Sequence, residues 1–249
     1  MNPHEQFKAE CEQEIALQDN HELWKKTHDW MFADEMKHYS YHFEWLGRPI
    51  IQYPQDIVQF QEIVWRTKPD LIIETGIAHG GSLILSASML ALLDLLSPTP
   101  VKRMVLGIDI DIRQHNREAI EAHPLADRIK MLEGSSTDQD IIDKVLNYSK
   151  NFKSVMVCLD SNHTHDHVLS ELQLYSPFVS IGNYCIVWDT VIEDMPEDSF
   201  KDRPWGKGNN PKTAVREFLK THTEFEVEQS IQNKLLITVA PDGYLRKVK

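Results

Sequence analysis

Cysteine is scarce: the 249 residues hold only Cys11, Cys158 and Cys185, far apart and with no CxxC pair. An odd, scattered set argues against a disulfide framework. Long apolar runs are also missing. The longest, SLILSASMLALLDLL, falls short of the roughly 18 residues of a membrane span and has Asp94 inside it. The first residues, MNPHEQFKAECEQEI, are charged and lack the apolar stretch of a signal peptide. A cytoplasmic protein without a membrane partner is the expectation. Positive charge is short as well: 26 Lys and Arg stand against 38 Asp and Glu, for a net charge of −12. Such a chain repels phosphate backbones and anionic lipid unless it carries a local basic patch. The densest basic stretch, Arg246-Lys247-Val248-Lys249, reads as a solvated terminus, so nucleic acid is not an expected partner.

What is present is an apolar fraction of 41%, enough for a real core. Residues 1–48 are helical in pattern and rich in aromatics, including Trp24, Trp30, Tyr39, Tyr41 and Trp45, before Gly47, Pro49 and Pro54 interrupt them. We read 1–48 as an N-terminal helical extension and 49–249 as the main domain. The extension would cover a site or form a subunit interface, and a homo-oligomer is expected.

From residue 56 helices and strands alternate. Strands are expected at DLIIET, RMVLGID (103–109), RIKMLEG (128–134), SVMVCLD (154–160) and NYCIVWD (183–189). Helices fall at 82–96, 113–122, 138–149, 165–176 and 212–221. Nearly all-apolar strands spaced by amphipathic helices mark a parallel sheet buried on both faces. The ending differs: FEVEQS and LLITVA, joined by a short turn, would pair antiparallel. The predicted fold is α/β and doubly wound, Rossmann-like. Its seven-stranded sheet is mostly parallel and closes on an antiparallel C-terminal hairpin, the pattern of S-adenosylmethionine methyltransferases.

A glycine-rich turn, Glu74-Thr75-Gly76-Ile77-Ala78-His79-Gly80-Gly81-Ser82, follows the first strand. Glycine lets the backbone approach a ligand, and the helix start beyond favours a negative group. The spacing is not the dinucleotide GxGxxG. It is ExGxxxGGS, closer to the methyltransferase form. His79 is either an exposed loop residue or a cofactor contact. Asp109 closes the second strand, where a carboxylate can accept both ribose hydroxyls; Asp111 is the competing candidate. Gly134 and Ser135 close the third strand, at the adenine end of such a cofactor, or form an ordinary capped loop.

With these stretches WLGRPIIQYPQD, VLGIDIDIR, LEGSSTD, LDSNHTHDHVLSELQLYSP and YCIVWDT, the chain resembles the cephalosporin hydroxylase (CmcI-like) and rhamnosyl O-methyltransferase family over roughly residues 45–249. The resemblance implies a methyltransferase acting on a hydroxyl of a sugar or secondary metabolite, often with Mg²⁺. It implies S-adenosylmethionine bound by Glu74–Ser82 and Asp109, and a metal at Asp160 and the end of YCIVWDT. Family members commonly carry Glu-Asp there, whereas this chain has Trp188-Asp189.

The residues agree with that implication. Asp160 and Asp189 end the fourth and fifth strands, and ligands of open α/β sheets bind beyond strand carboxyl ends. Two carboxylates there suit Mg²⁺ or Mn²⁺, and Asp160 also faces the cofactor. His163, three residues on, is the candidate base for an attacking hydroxyl; the competing reading is a structural loop histidine. The spacing of His163 and His167 superficially suggests zinc, but the HExxH glutamate is absent. Trp188 either packs over ligand or fills space. Residues 191–210 read as a substrate flap, a surface excursion or a subunit contact. Two rival functions remain open: a cofactor-binding accessory protein without catalysis, and a nicotinamide-dependent oxidoreductase.

Overall fold

A computed structural model describes residues 2–18, 20–33, 36 and 38–249. Two N-terminal helices, α1 (Pro3–Leu17) and α2 (His21–Met31), lead into a small antiparallel hairpin of β1 (Phe43–Trp45) and β2 (Arg48–Ile50). The helical pattern thus stops earlier than the sequence suggests. Leu46 and Gly47 form the turn, both at positive φ, so the 48/49 boundary falls inside this hairpin.

The main sheet follows the expected alternation. Helix α3 (Pro54–Thr67) precedes β3 (Leu71–Thr75), then come α4 (Gly81–Leu96), β4 (Met104–Asp109), α5 (Gln114–Glu121), β5 (Ile129–Glu133) and α6 (Gln139–Ser149). Next are β6 (Val155–Leu159), α7 (His165–Tyr175), β7 (Tyr184–Val187) and α8 (Pro211–Phe218). The spatial order is β5-β4-β3-β6-β7-β9-β8, with the last two strands given below. The pairings from β5 to β7 are parallel. The order reverses at β3, where the chain winds first toward β4 and later toward β6.

Burial explains the composition of the elements. Every residue of β3 and β6 is buried, which is why both read as unbroken apolar runs. Helix α4 buries ten residues from Gly81 to Leu93. It touches α3, β4 and both strands of the small hairpin, and packing against several elements accounts for its many buried apolar positions, while Leu92, Leu95 and Leu96 stay exposed. Trp45 of the hairpin donates its indole N–H to Ser88 Oγ of α4 at 2.9 Å. The hydrophobic core is split by the sheet into one cluster with Phe60, Leu83 and Ile120 and another with Val145, Leu172 and Phe218.

The C-terminus departs from expectation in detail. β8 (Phe225–Val227) and β9 (Tyr244–Lys247) do pair antiparallel, and β9 lies between β7 and β8. LLITVA, however, is not the second strand. Gln229–Leu235 forms helix α9, and the segment after it is captured by α3. The buried Asp56 accepts hydrogen bonds from Thr238 Oγ1 at 2.5 Å, the Val239 amide at 2.9 Å and Tyr244 Oη at 2.7 Å. One carboxylate thus holds a hydroxyl and an amide of this segment, and the strand role passes to YLRK.

Burial pushes the Asp56 carboxyl up from its ordinary 3.8 to about 6, against the pull of its three hydrogen bonds, with a further push from Asp189. The folded state therefore holds the proton more tightly than the unfolded chain. The sign is fixed: stability from this group is full below about pH 4 and falls as pH rises through about 6. The loss is about 3 kcal/mol by linkage. Urea unfolding across pH 4–7 should show that slope in the native chain and a shallower one in Asp56→Asn. Equal slopes would remove Asp56 as its source.

Candidate functional site

At the carboxyl ends of β3, β6 and β7 opens a cleft of about 230 Å³. Its walls come from the glycine turn (Gly76–His79, Gly81, Ser82), from Asp160, Ser161, His163 and Asp189, and from Ser40, Tyr41 and Pro49–Gln52. The N-terminal region thus supplies one wall directly.

Backbone contact builds the cleft floor. The Asp160 amide donates to the Thr75 carbonyl at 2.9 Å, and the Gly76 amide to Ile108 at 2.8 Å. A Cβ at Gly76 would lie 2.0 Å from the Asp160 carbonyl oxygen, and one at Gly81 would lie 2.2 Å from the Pro49 carbonyl oxygen. These two glycines are required by protein backbone packed against them, where the sequence suggested only approach to a ligand.

Asp160, His163 and Asp189 meet at one end of the cleft, each offering an atom within 4.8 Å of the others. His163 Nε2 lies 3.3 Å from Asp189 Oδ2. Asp189 adopts φ 56, a left-handed conformation uncommon for a residue with a Cβ and concentrated at functional positions. Burial, then the charges of Asp189, Glu74 and Glu171, raise the Asp160 carboxyl well above the carboxylate range. Every one of these influences disfavours its anion, so the cluster suits a cation.

Trp188 stands clear of this cluster. It is buried at 7% exposure and packs edge-on against Tyr244, ring centres 6.0 Å apart. It fills core beneath the cleft, and His163 supplies the third potential donor that the strand end lacks. His167 sits elsewhere, with Ser136 Oγ at 3.2 Å and Ser161 Oγ at 3.1 Å from its Nε2. The i, i+4 histidines therefore do not converge, and His163 precedes α7 altogether.

The remaining sequence candidates are distributed around the cleft. Glu74 lies under it, 3% exposed, with its carboxyl accepting the Ser82 hydroxyl. Burial lifts Glu74 to about 7, against that hydrogen bond. The Asp109 carboxylate accepts the Ile77 amide at 2.7 Å, the Ala78 amide at 3.4 Å and the Asp111 amide at 3.1 Å, so it organises the turn. Gly134 follows β5, its amide donating to the Asp109 carbonyl at 2.8 Å. Ser135 pairs with Thr137 at 3.0 Å, and neither Gly134 nor Ser135 lines the cleft. His79 and Gly81 do, while Gly80 packs behind them against Ile120.

The long segment 191–210 is folded onto the site. Asn209 Oδ1 caps the start of α7 by accepting the His165 amide at 2.9 Å. Trp205 meets the His163 ring edge to face at 4.9 Å. Arg48 and Asn116 also grip the glycine turn, and nothing local in WLGRP or in α5 signals their contact across 68 residues.

A family model described as Rhamnosyl O-methyltransferase/CmcI matches residues 37–248. The chain belongs to this family. The rhamnosyl O-methyltransferase of Mycobacterium bovis is 29% identical over 195 residues, covering 76% of this chain and 72% of that protein. The one from Mycobacterium leprae is 23% identical over 238 residues, covering 94% and 95%. Among solved structures, apo CmcI aligns with a TM-score of 0.56 at 18% identity, covering 84% of this chain and 77% of that one. Apo CalS11, a TDP-rhamnose 3′-O-methyltransferase, aligns at 0.50 and 13%, covering 92% and 91%. At such identities the structural likeness speaks for the fold, which is that of these family members. The match begins at residue 37 and so takes in the small hairpin.

The Gly76 contact is testable. Gly76 combines φ 89 with the 2.0 Å approach, so Gly76→Ala should destabilise the protein by about 3 kcal/mol, through overpacking and a left-handed Cβ together. Chemical denaturation checks this, and a loss under about 0.5 kcal/mol would mean the turn relaxes freely.

Proposed function

We propose that this protein transfers the methyl group of S-adenosylmethionine to a hydroxyl of a sugar or sugar-bearing metabolite, with a divalent cation, Mg²⁺ or Mn²⁺, held by Asp160 and Asp189. The observation that carries the proposal is the convergence of Asp160, His163 and Asp189 in the same cleft as the glycine turn, within a chain of the rhamnosyl O-methyltransferase family. That family supports a small-molecule acceptor. No helix of the described residues is long and apolar enough to cross a membrane.

The turn Gly76–Ser82 would receive the amino acid end of the cofactor. Asp109 shapes that turn by accepting the amides of Ile77 and Ala78 and would stand next to the ribose. Gly134 and Ser135, outside the cleft lining, would lie toward the adenine end. Glu74 acts through Ser82, whose hydroxyl it orients. Asp160 would serve both ligands, between cofactor and cation.

Methyl transfer asks for an in-line approach and removal of one proton. Bound S-adenosylmethionine would supply the methyl group, its methyl–sulfur bond breaking as the acceptor oxygen takes the carbon, with S-adenosylhomocysteine as the leaving group. The hydroxyl proton passes to His163 Nε2. Asp189 Oδ2 lies 3.3 Å from that nitrogen and orients the ring. A bound divalent cation would supply a lowered pKa at the acceptor hydroxyl. Trp205 steadies the His163 ring by meeting it edge to face. Ser40 and Tyr41, which line the cleft, would face the acceptor.

Two measurements test this, both with labelled methyl donor and a panel of rhamnosides. A chelator should abolish transfer, Mg²⁺ or Mn²⁺ should restore it, and Asp160→Asn should block the restoration. Full activity in excess chelator would reassign both aspartates to substrate orientation. His163→Ala should lower the rate about 10²–10⁴-fold with S-adenosylhomocysteine affinity unchanged. Recovery of that variant by excess Mn²⁺ would instead make His163 a metal ligand and not the base.

A further inference from the structure

The glycine turn is held from outside the cleft by two side chains on separate elements. Arg48, on β2, donates to the His79 carbonyl from Nε at 3.0 Å and from Nη2 at 2.5 Å. The same Nη2 donates to Asn116 Oδ1 at 3.0 Å. Asn116, on α5 and 3% exposed, donates from Nδ2 to the Ala78 carbonyl at 2.8 Å. Two successive carbonyls of the turn are thereby fixed by one connected pair of side chains.

The residue between these bonds is strained. Ala78 sits at φ 46, a left-handed conformation that a Cβ makes costly. Such a residue persists only where its surroundings over-determine it. Here its amide is held by Asp109 and its carbonyl by Asn116. Ala78 and His79 line the cleft, while Arg48 and Asn116 do not. Arg48 is itself anchored by its hairpin: Pro49 backs onto Gly81, and His123 Nε2 lies 3.1 Å from the Leu46 carbonyl oxygen.

We propose that Arg48 and Asn116 are positioning residues for S-adenosylmethionine: without touching it, they hold Ala78 and His79 in the shape the cofactor meets. This rests on the methyltransferase reading above. The small hairpin, through Arg48, is then part of the cofactor-binding machinery. An arginine suits the role because its planar fork can reach a carbonyl and an amide oxygen at once, and its charge strengthens each bond.

Titration calorimetry with S-adenosylhomocysteine on the native chain, Asn116→Ala, Arg48→Met and Arg48→Lys tests it. Hydrogen exchange at residues 77–80 and Mn²⁺ affinity are measured alongside. Asn116→Ala and Arg48→Met should each weaken S-adenosylhomocysteine about tenfold or more. Exchange at 77–80 should quicken, with Mn²⁺ affinity within twofold of native. Arg48→Lys, which keeps the charge but not the fork, should recover part of the loss. If Arg48→Met does not fold, Asn116→Ala decides. Variants that bind S-adenosylhomocysteine within twofold of native, or an equal loss of Mn²⁺ affinity, would overturn the positioning role. A native chain that binds no S-adenosylhomocysteine would instead sink the methyltransferase reading, and this proposal with it.

Discussion

The pairing of β6 with β7 brings two like charges together, and the site follows from that. The Trp188 amide donates to the Leu159 carbonyl at 3.0 Å, so the chain positions just beyond it, Asp160 and Asp189, leave the sheet side by side. Neighbouring strands are about 4.8 Å apart, and the repulsion raises the Asp160 pKa on top of what burial does. Folding alone would not select such a placement. A cation or a proton would offset the charge, and His163 brings a ring nitrogen within 4.8 Å of both carboxylates.

Around this pair the protein has arranged support in rings of increasing distance. The positive φ of Asp189 is maintained by the turn that follows, where Val191 donates its amide to the Val239 carbonyl at 3.1 Å. Val239 is in turn held by Asp56. Further out, the buried Lys212 bridges Asp194 at 2.6 Å and Asp242 at 3.3 Å, locking the segment after Asp189 to α8 and to the C-terminal turn. Residues outside the acidic cluster thus set the geometry of those within it.

The glycine turn is supported in the same way from the other side of the cleft. Its glycines answer to neighbouring backbone at Asp160 and Pro49, and its carbonyls to Arg48 and Asn116. A glycine-rich turn after a first strand is often taken as shaped by its ligand. Here much of its shape is already imposed by protein contacts, which leaves fewer conformations to be lost on binding.

What the sequence determined by itself is the periodic part. The apolar runs LIIET and VMVCL, spaced by amphipathic segments, admit little but a buried parallel sheet, and the strand ends then place Asp160, Asp189 and the glycine turn at one edge by topology alone. His163 was legible for the same reason, three residues past a strand end. Tertiary structure decided the rest. LLITVA has strand chemistry, yet a carboxylate 182 residues away in Asp56 claims it, because buried amides and hydroxyls must find partners and propensity is a weak preference beside that need. Trp188 turned inward because Tyr244 offered a packing surface, and the role of Arg48 depends on α5 lying across a gap of 68 residues. Local pattern sets which residues face the core. Which distant residue satisfies a buried polar group is settled only when the chain has closed on itself.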